Sequence, residues 1–313
     1  MPVEIVHGHQ AASVRERLAV AIGNFDGVHI GHRALLQRAR VLANAHGARV
    51  AALTFNPHPS ALLSPSGAPP MICSLARRIE LLGEAGADVV VVEPFTEALS
   101  RASAAAFVDD VVISALRACA IVVGYDFKYG HGRAGTTEAL RAHGGRLGVE
   151  VDIVPPVKVE GAVASSSEVR AALAAGDVDT AARLLGRTFD VDGIVVHGAK
   201  RGRAIGIPTA NIDPAVPIAL RGGIYAVTLE VDGVPMPAVA SLGTNPTFVA
   251  GGPPVLEVHV LDFAGDLYGR RLRTRFVARL RDELKFEGVD ALIAQIHRDI
   301  VDARACLARA APA

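Results

Sequence analysis

The sequence predicts two domains of unlike class: a doubly wound α/β domain on a parallel sheet, then a small antiparallel β-barrel capped by a C-terminal helix. Three observations carry that expectation. Up to about Gly186, short apolar runs alternate with segments of helical period, and Val89-Val90-Val91-Val92 is apolar throughout, as a strand covered on both faces should be. From Thr188 onward, β-rich runs follow one another with Gly, Pro and Asp turns between them, and a helical period returns only near the end. At 313 residues the chain is long enough for two cores. The boundary falls near Gly186, giving domains 1–186 and 187–313.

In the first half the strands are expected at Leu18–Ile22, Arg49–Phe55, Asp88–Val92, Ala120–Gly124 and Val149–Val154. Helices are expected between them, near Ala34–Ala45, Leu75–Ala85, Ala104–Arg117 and Thr137–His143. Domains of this kind bind ligands beyond the carboxyl ends of their strands. The polar, Gly- and Pro-rich loops fall there: Gly23–His32, Thr54–Pro59, Glu93–Thr96 and Gly124–Gly130.

Gly23-Asn24-Phe25-Asp26-Gly27-Val28-His29-Ile30-Gly31-His32 is the most informative of these loops. It ends an apolar strand and opens a helix whose apolar positions include Leu35, Leu36, Ala39 and Leu42. Free N–H groups and the helix dipole at such a junction favour a polyphosphate, and glycines let the backbone approach it. His29 and His32, three apart, project to one side and are placed to donate to phosphate oxygens as charge builds on a leaving pyrophosphate. A purely structural turn and a metal pair suit the same spacing, and the residues alone leave both open. The chain has no G-x-x-x-x-G-K-[ST] run, no H-E-x-x-H and no C-x-x-C.

Ser165-Ser166-Ser167-Glu168-Val169-Arg170 precedes an Ala-rich helix, with Ser165 or Ser166 as N-cap and Glu168 in a capping-box position. It reads equally as a plain cap and as a second phosphate-binding device. A short helix from Asp177 to Leu185 then ends at Gly186.

Strands follow at Phe189–His197, Ile224–Val231, Val239–Leu242, Leu256–Leu261 and Leu272–Leu280, with Val231-Asp232-Gly233-Val234 as a hairpin turn. The last segment, Val289 to Leu307, is amphipathic through Leu292, Ile293, Ile296 and Ile300. The loop Gly198–Gly206, with Lys200 and Arg203, has the composition to fold over phosphates or simply to meet water. Thr209 and Asn211, two apart in an extended segment, offer neutral oxygens on one side for Mg²⁺. In Leu256–Leu261 the alternation sets Glu257 and His259 opposite Leu256, Val258 and Val260; Glu257 is a general base if that face lines a site.

Composition narrows the class. Thirty-two basic and thirty-two acidic residues leave no electrostatic footprint for nucleic acid. Three scattered cysteines form no disulfide framework and suit a reducing, cytoplasmic setting. No secretory signal pattern or membrane-length apolar run is present.

Together these residues resemble the prokaryotic bifunctional riboflavin kinase / FMN adenylyltransferase family, also called FAD synthetase. In the first half the likeness rests on Gly23–His32, Thr54–Pro59, Gly124–Phe127 and the serine–arginine element ending at Arg170. In the second it rests on Gly206-Ile207-Pro208-Thr209-Ala210-Asn211, Ser241–Phe248 and Leu256–Phe263. The resemblance implies ATP-dependent phosphorylation of riboflavin to FMN in the C-terminal domain and adenylylation of FMN to FAD in the N-terminal one, both with Mg²⁺ or another divalent cation. His29, His32 and Arg170 would then be catalytic in the first site, with Gly23, Asn24, Gly31, Ser166 and Ser167 on the ATP phosphates. Phe55, Asn56, Pro57, His58 and Asp126 would meet the flavin there, although many relatives carry asparagine where Asp126 lies. In the second site Glu257 would be the base, Gly198, Lys200 and Arg203 would bind phosphate, Thr209 and Asn211 the metal, and Phe286 the flavin. Loss of one activity, or a carrier that binds flavin without turnover, are the rival outcomes. The chain is expected as a monomer or weak homo-oligomer without nucleic-acid or membrane partners.

Overall fold

The computed structural model describes residues 3–11, 16–198, 202, 205–243 and 255–310. The chain divides into two compact units, one of residues 1–69 with 75–165 and one of 70–74 with 166–313.

The first unit is built on a six-stranded parallel sheet: β1 (Glu4–His7), β2 (Leu18–Ile22), β3 (Arg49–Asn56), β4 (Val89–Pro94), β5 (Ala118–Gly124) and β6 (Glu150–Val154). The spatial order is β1-β4-β3-β2-β5-β6, and a separate two-stranded hairpin pairs β7 (Lys158–Val159) with β8 (Ala162–Val163). Every residue of β2 is buried, which accounts for its unbroken apolar run. The helices are α1 (Ile30–His46), α2 (Ser60–Leu63), α3 (Leu75–Glu84), α4 (Glu97–Arg101), α5 (Ala104–Ala106) and α6 (Thr137–Arg146). A π-helical stretch, Phe107–Ala115, continues α5 where one helix was expected. The edge strand β1 was missed, because Glu4 and His7 interrupt its apolar pattern. From β2 the chain moves to β3 on one side, whereas from β5 it moves to β6 on the other. The switch point therefore lies between the carboxyl ends of β2 and β5, where Gly23 and Asp126 follow.

The second unit opens with α7 (Ser166–Ala175) and α8 (Val178–Leu185). Asp177 caps α8 by accepting from the Thr180 N–H, and Gly186 ends it in the left-handed conformation, as expected. A closed antiparallel barrel follows: β9 (Phe189–Val196), β10 (Ala210–Pro214), β11 (Gly223–Val231), β12 (Val234–Gly243), β13 (Val255–Val260) and β14 (Arg271–Arg281). Its order is β10-β13-β12-β11-β14-β9. The β11–β12 hairpin pairs Val231 with Val234, and Asp232 and Gly233 both take positive φ (52° and 78°), the requirement of a two-residue I′ turn. The C-terminal helix α9 (Val289–Ala310) packs Ile300, Ala303 and Leu307 on Ile224, Ala226 and Val239 of the barrel's outer face. A buried carboxylate, Asp299, ties α9 to β14 by accepting from Arg281 Nε (2.8 Å) and Nη2 (2.6 Å).

Candidate active sites

The β2–α1 turn is held from below by two apolar side chains. Phe25 and Val28 are fully buried and both take positive φ (52° and 43°), an unusual conformation for a β-branched residue and one that only strong anchoring sustains. His29 is the N-cap of α1, and its ring nitrogen Nδ1 accepts from the His32 N–H at 3.4 Å. The two imidazoles stack with centroids 3.6 Å apart, and Phe25 meets His32 edge-on at 5.0 Å. Gly31 gives this arrangement room, since a Cβ there would lie 3.0 Å from the His29 ring and 3.1 Å from the Ala164 carbonyl oxygen, tighter than ordinary contact. Burial, then the neighbouring His29 and the Arg78 guanidinium, hold the His32 pKa well below the usual histidine value. Its Nδ1 is buried with no partner among the described residues. Both predicted histidines thus stand together at a helix N-terminus on the carboxyl edge of the sheet.

Asn24 and His58 join the turn to the end of β3. The Asn24 amide lies 3.1 Å from His58 Nε2, while His58 Nδ1 accepts from the Ser60 N–H at 3.2 Å. The Asn24 atom facing the ring is Nδ2, and the tautomer of His58 sets which of the two groups donates. Thr54 Oγ1 donates to the Asn24 carbonyl at 2.9 Å. Asn56 and Pro57 follow at the exposed end of β3, across a cis peptide. Phe55 is buried, edge-on to Phe95 and near Phe107, so its ring backs this rim from within the core rather than facing open space. Asp126 is exposed on the turn after β5, and Gly23 follows β2 with the Phe25 ring against it. Ser166, Ser167 and Arg170 lie in the first turns of α7, in the second unit, where Arg170 Nε donates to the Pro70 carbonyl at 2.8 Å.

On the barrel, strand register assembles the other group. Asn211 on β10 pairs with Glu257 on β13, and Glu257 pairs with Ser241 on β12. Paired residues of antiparallel strands share a face, so the three form one row across the sheet. That row lies on the outer face with Ile224 and Val239, while Leu256, Val258 and Ile212 point into the barrel. Gly198, two residues beyond β9, presses on the row: a Cβ there would come within 2.3 Å of the Asn211 amide nitrogen. His259 Nδ1 donates to the Pro208 carbonyl at 2.8 Å and so pins the approach to Thr209, which is half-buried.

The segment joining β14 to α9 carries Phe286, half-buried, and Glu283. Gly243 leaves room for the Glu283 carboxylate, which approaches so closely that any Cβ would collide with it. Partial desolvation beside Gly243 raises the Glu283 pKa against the pull of Arg281, although the residue as a whole is exposed. Ser241 was legible only as the start of a motif, its place in the row depending on cross-strand register; Glu283 and Arg78 escaped because their partners lie far away in sequence. Lys200 and Arg203, and Thr244–Phe248 of the motif beginning at Ser241, lie outside the described residues. Among the described residues no three His, Cys, Asp or Glu side chains gather into a metal site, and no helix is long and apolar enough to cross a membrane.

Comparison with known proteins matches each half separately. The FAD synthetase family model covers residues 11–168, and the riboflavin kinase family model covers 185–307. A bifunctional riboflavin kinase/FMN adenylyltransferase of Pseudomonas fluorescens is 41% identical over 99% of both chains. Proteins of the same name from Escherichia coli K12 and Bacillus subtilis are 38% and 36% identical, covering 93% and 95% of each chain. A crystal structure described as a macrolide-efflux protein from Streptococcus pneumoniae superposes with a TM-score of 0.87 at 32% identity, over 97% of this chain and 99% of that one.

Proposed function

The chain belongs to the bifunctional riboflavin kinase/FMN adenylyltransferase family, and from that premise we propose which residues carry each of its two reactions. The C-terminal riboflavin kinase region phosphorylates riboflavin with ATP to give FMN and ADP, and the N-terminal FAD synthetase region joins FMN to AMP from a second ATP, releasing pyrophosphate. The observation that carries the assignment is the presence of two separate polar constellations, one in each unit: the stacked His29/His32 pair at the sheet's carboxyl edge, and the Asn211–Glu257–Ser241 row on the barrel.

In adenylyl transfer a phosphate oxygen of FMN attacks the α-phosphorus of ATP and the bond to the β-phosphate breaks. The attacking oxygen is already anionic, so no strong base is needed. Catalysis is positioning and charge stabilisation. The free N–H groups at the start of α1, with His29 and His32, receive the polyphosphate; Gly23, Asn24 and Gly31 shape the turn around it. Asn56, Pro57, His58 and Asp126 border the flavin, backed by Phe55.

In the kinase, Glu257 accepts the proton of the ribityl hydroxyl as that oxygen attacks the γ-phosphorus. Gly198, Lys200 and Arg203 meet the phosphates, and Phe286 meets the flavin ring. Thr209 and Asn211 fit a divalent cation: their oxygens are neutral, as suits Mg²⁺ shared with phosphates, and the missing Cβ of Gly198 gives the Asn211 amide its place. Mg²⁺ bound there would neutralise charge on the ATP phosphates.

We place the functional boundary between residues 186 and 187; the riboflavin kinase match begins at 185, and the FAD synthetase match ends earlier, at 168. A cytoplasmic, monomeric or weakly self-associating enzyme is consistent with its ATP-dependent chemistry and with cysteines at 73, 119 and 306 that form no disulfide. Incubating the protein with riboflavin, ATP and Mg²⁺ and separating the flavins over time tests the whole scheme. FMN should appear first and FAD follow. FMN alone would remove the His29/His32 assignment, and no conversion at all would favour a carrier.

A further inference from the structure

Arg78, on α3, is a buried cation with no ion-paired carboxylate among the described residues. It is 3% exposed, yet its Nη1 donates only to neutral oxygens, Thr54 Oγ1 at 3.3 Å and the Phe55 carbonyl at 3.2 Å. Its Nε is buried without a partner, and no carboxylate lies within ion-pair distance of it among the described residues. The neighbouring Arg77, equally buried, is paired with Glu80 and Glu84 at 2.9 and 3.0 Å, which shows what a satisfied guanidinium on this helix looks like. Burying an unpaired charge is costly, and a folded protein tolerates it where a ligand of opposite sign completes the site.

The position says which ligand. Thr54 Oγ1, which receives the Arg78 bond, donates onward to the Asn24 carbonyl, so the guanidinium reaches the β2–α1 turn through a single hydroxyl. Arg78 also stands close enough to His32 to act on its ionisation. The stacked imidazoles cannot conveniently both be protonated at 3.6 Å, so they are poor sources of fixed positive charge. An arginine is charged at every working pH.

We propose that Arg78 is the permanent cation of the adenylyl-transfer site, a positioning residue that holds the Asn24 turn to β3 and offsets the charge of the nucleotide's polyphosphate and of the departing pyrophosphate. The proposal rests on reading the His29/His32 turn as that site. The titratable and charged groups acting on His32 there are His29 and Arg78. With the guanidinium supplying charge, His32 stays neutral and acts as a hydrogen-bond donor.

The test uses the full chain and the variants Arg78→Met and Arg78→Lys, with riboflavin phosphorylation in the same chain as the folding control. Arg78→Met should lower kcat/KM for ATP in FAD formation by about 10²-fold, the scale of losing one preorganised charge-stabilising group. Arg78→Lys, which keeps the charge, should recover about tenfold of that. Inorganic pyrophosphate should raise the melting temperature of the parent and the lysine variant but not of Arg78→Met. The acid limb of the FAD-forming pH profile should move to higher pH in Arg78→Met, because the neighbouring charge no longer holds the His32 proton off. FAD formation within threefold of the parent in Arg78→Met would overturn the proposal. So would equal losses in both variants with an unmoved pH profile, the signature of a purely structural arginine. If both variants lose the kinase as well, the arginine serves the fold and the proposal fails. His29→Ala separates the two levels: full FAD formation in that variant removes the site reading itself, whereas a silent Arg78→Met in a His29-dependent enzyme removes only the role of Arg78.

Discussion

Adding one methyl group to Gly198 should disable the kinase while leaving the other activity intact. An alanine Cβ at this position would lie 2.3 Å from Asn211 Nδ2 and 2.4 Å from its Cγ. Ordinary van der Waals contact begins at 3.4 Å, so the amide has to retreat by about 1 Å. The backbone φ of Gly198 is not in the left-handed region, so the substitution acts through this one contact and not through backbone strain. Asn211 is a short side chain on a paired strand and swings aside at little cost in stability, which confines the damage to the site. A displacement of that size at a ligand-holding group lowers the rate by about 10²-fold. The assay is FMN formation from riboflavin at saturating ATP, followed chromatographically while Mg²⁺ is varied. FAD formation from added FMN serves as the control. The variant should need more Mg²⁺ for half-maximal rate and form FAD from FMN normally. A Gly198→Ala enzyme with parental FMN formation and parental Mg²⁺ dependence would refute the reasoning that Asn211 holds the cation.

Three further outcomes are expected. His29→Ala should abolish FAD formation and spare FMN formation, and Glu257→Gln should do the reverse; one substitution stopping both reactions in a folded chain contradicts the two-site assignment. Asp299→Ala should cost about 3 kcal/mol, since it strands the Arg281 guanidinium and removes the bond from Gln295 Nε2 at 2.9 Å. Urea unfolding that follows loss of kinase activity reads it, and a cost below about 1 kcal/mol argues against the anchoring role of the pair. For His32 the direction of the shift sets the sign: a depressed folded pKa means the folded state disfavours the proton, so its contribution to stability is present above the ordinary value of 6.5 and is lost as pH falls toward the folded pKa. Imidazole-resolved NMR should show one ring titrating well below 6.5; all rings titrating at or above that value would count against the buried, cation-facing environment.

How much was legible in the sequence depended on the range of the interaction that decided each feature. The buried strands announced themselves through local composition, as in Val89–Val92, and the strand–turn–helix junction through the spacing of Gly23, His29, Gly31 and His32. The β11–β12 turn was legible for the same reason, because Asp232-Gly233 is the local chemistry of its own dihedrals. By contrast β1, at the sheet edge, has a pattern too polar and too short to stand out. The helix expected across Ala104–Arg117 was found in place, but its π-helical register was not legible.

The sequence by itself determined the class of each half, the order of the two activities and the identity of the residues at the first turn, since periodicity and motif spacing are properties of neighbours along the chain. Only the tertiary structure decided which side chains stand together. The barrel register set Asn211, Glu257 and Ser241 in one row on the outer face. Packing stacked His29 on His32, depressed the His32 pKa and carried Arg78 to Thr54, twenty-four residues away. Those outcomes are set by burial and by the geometry of distant contacts, which a linear pattern does not encode because a guanidinium has the same local neighbours whether or not an anion is waiting for it.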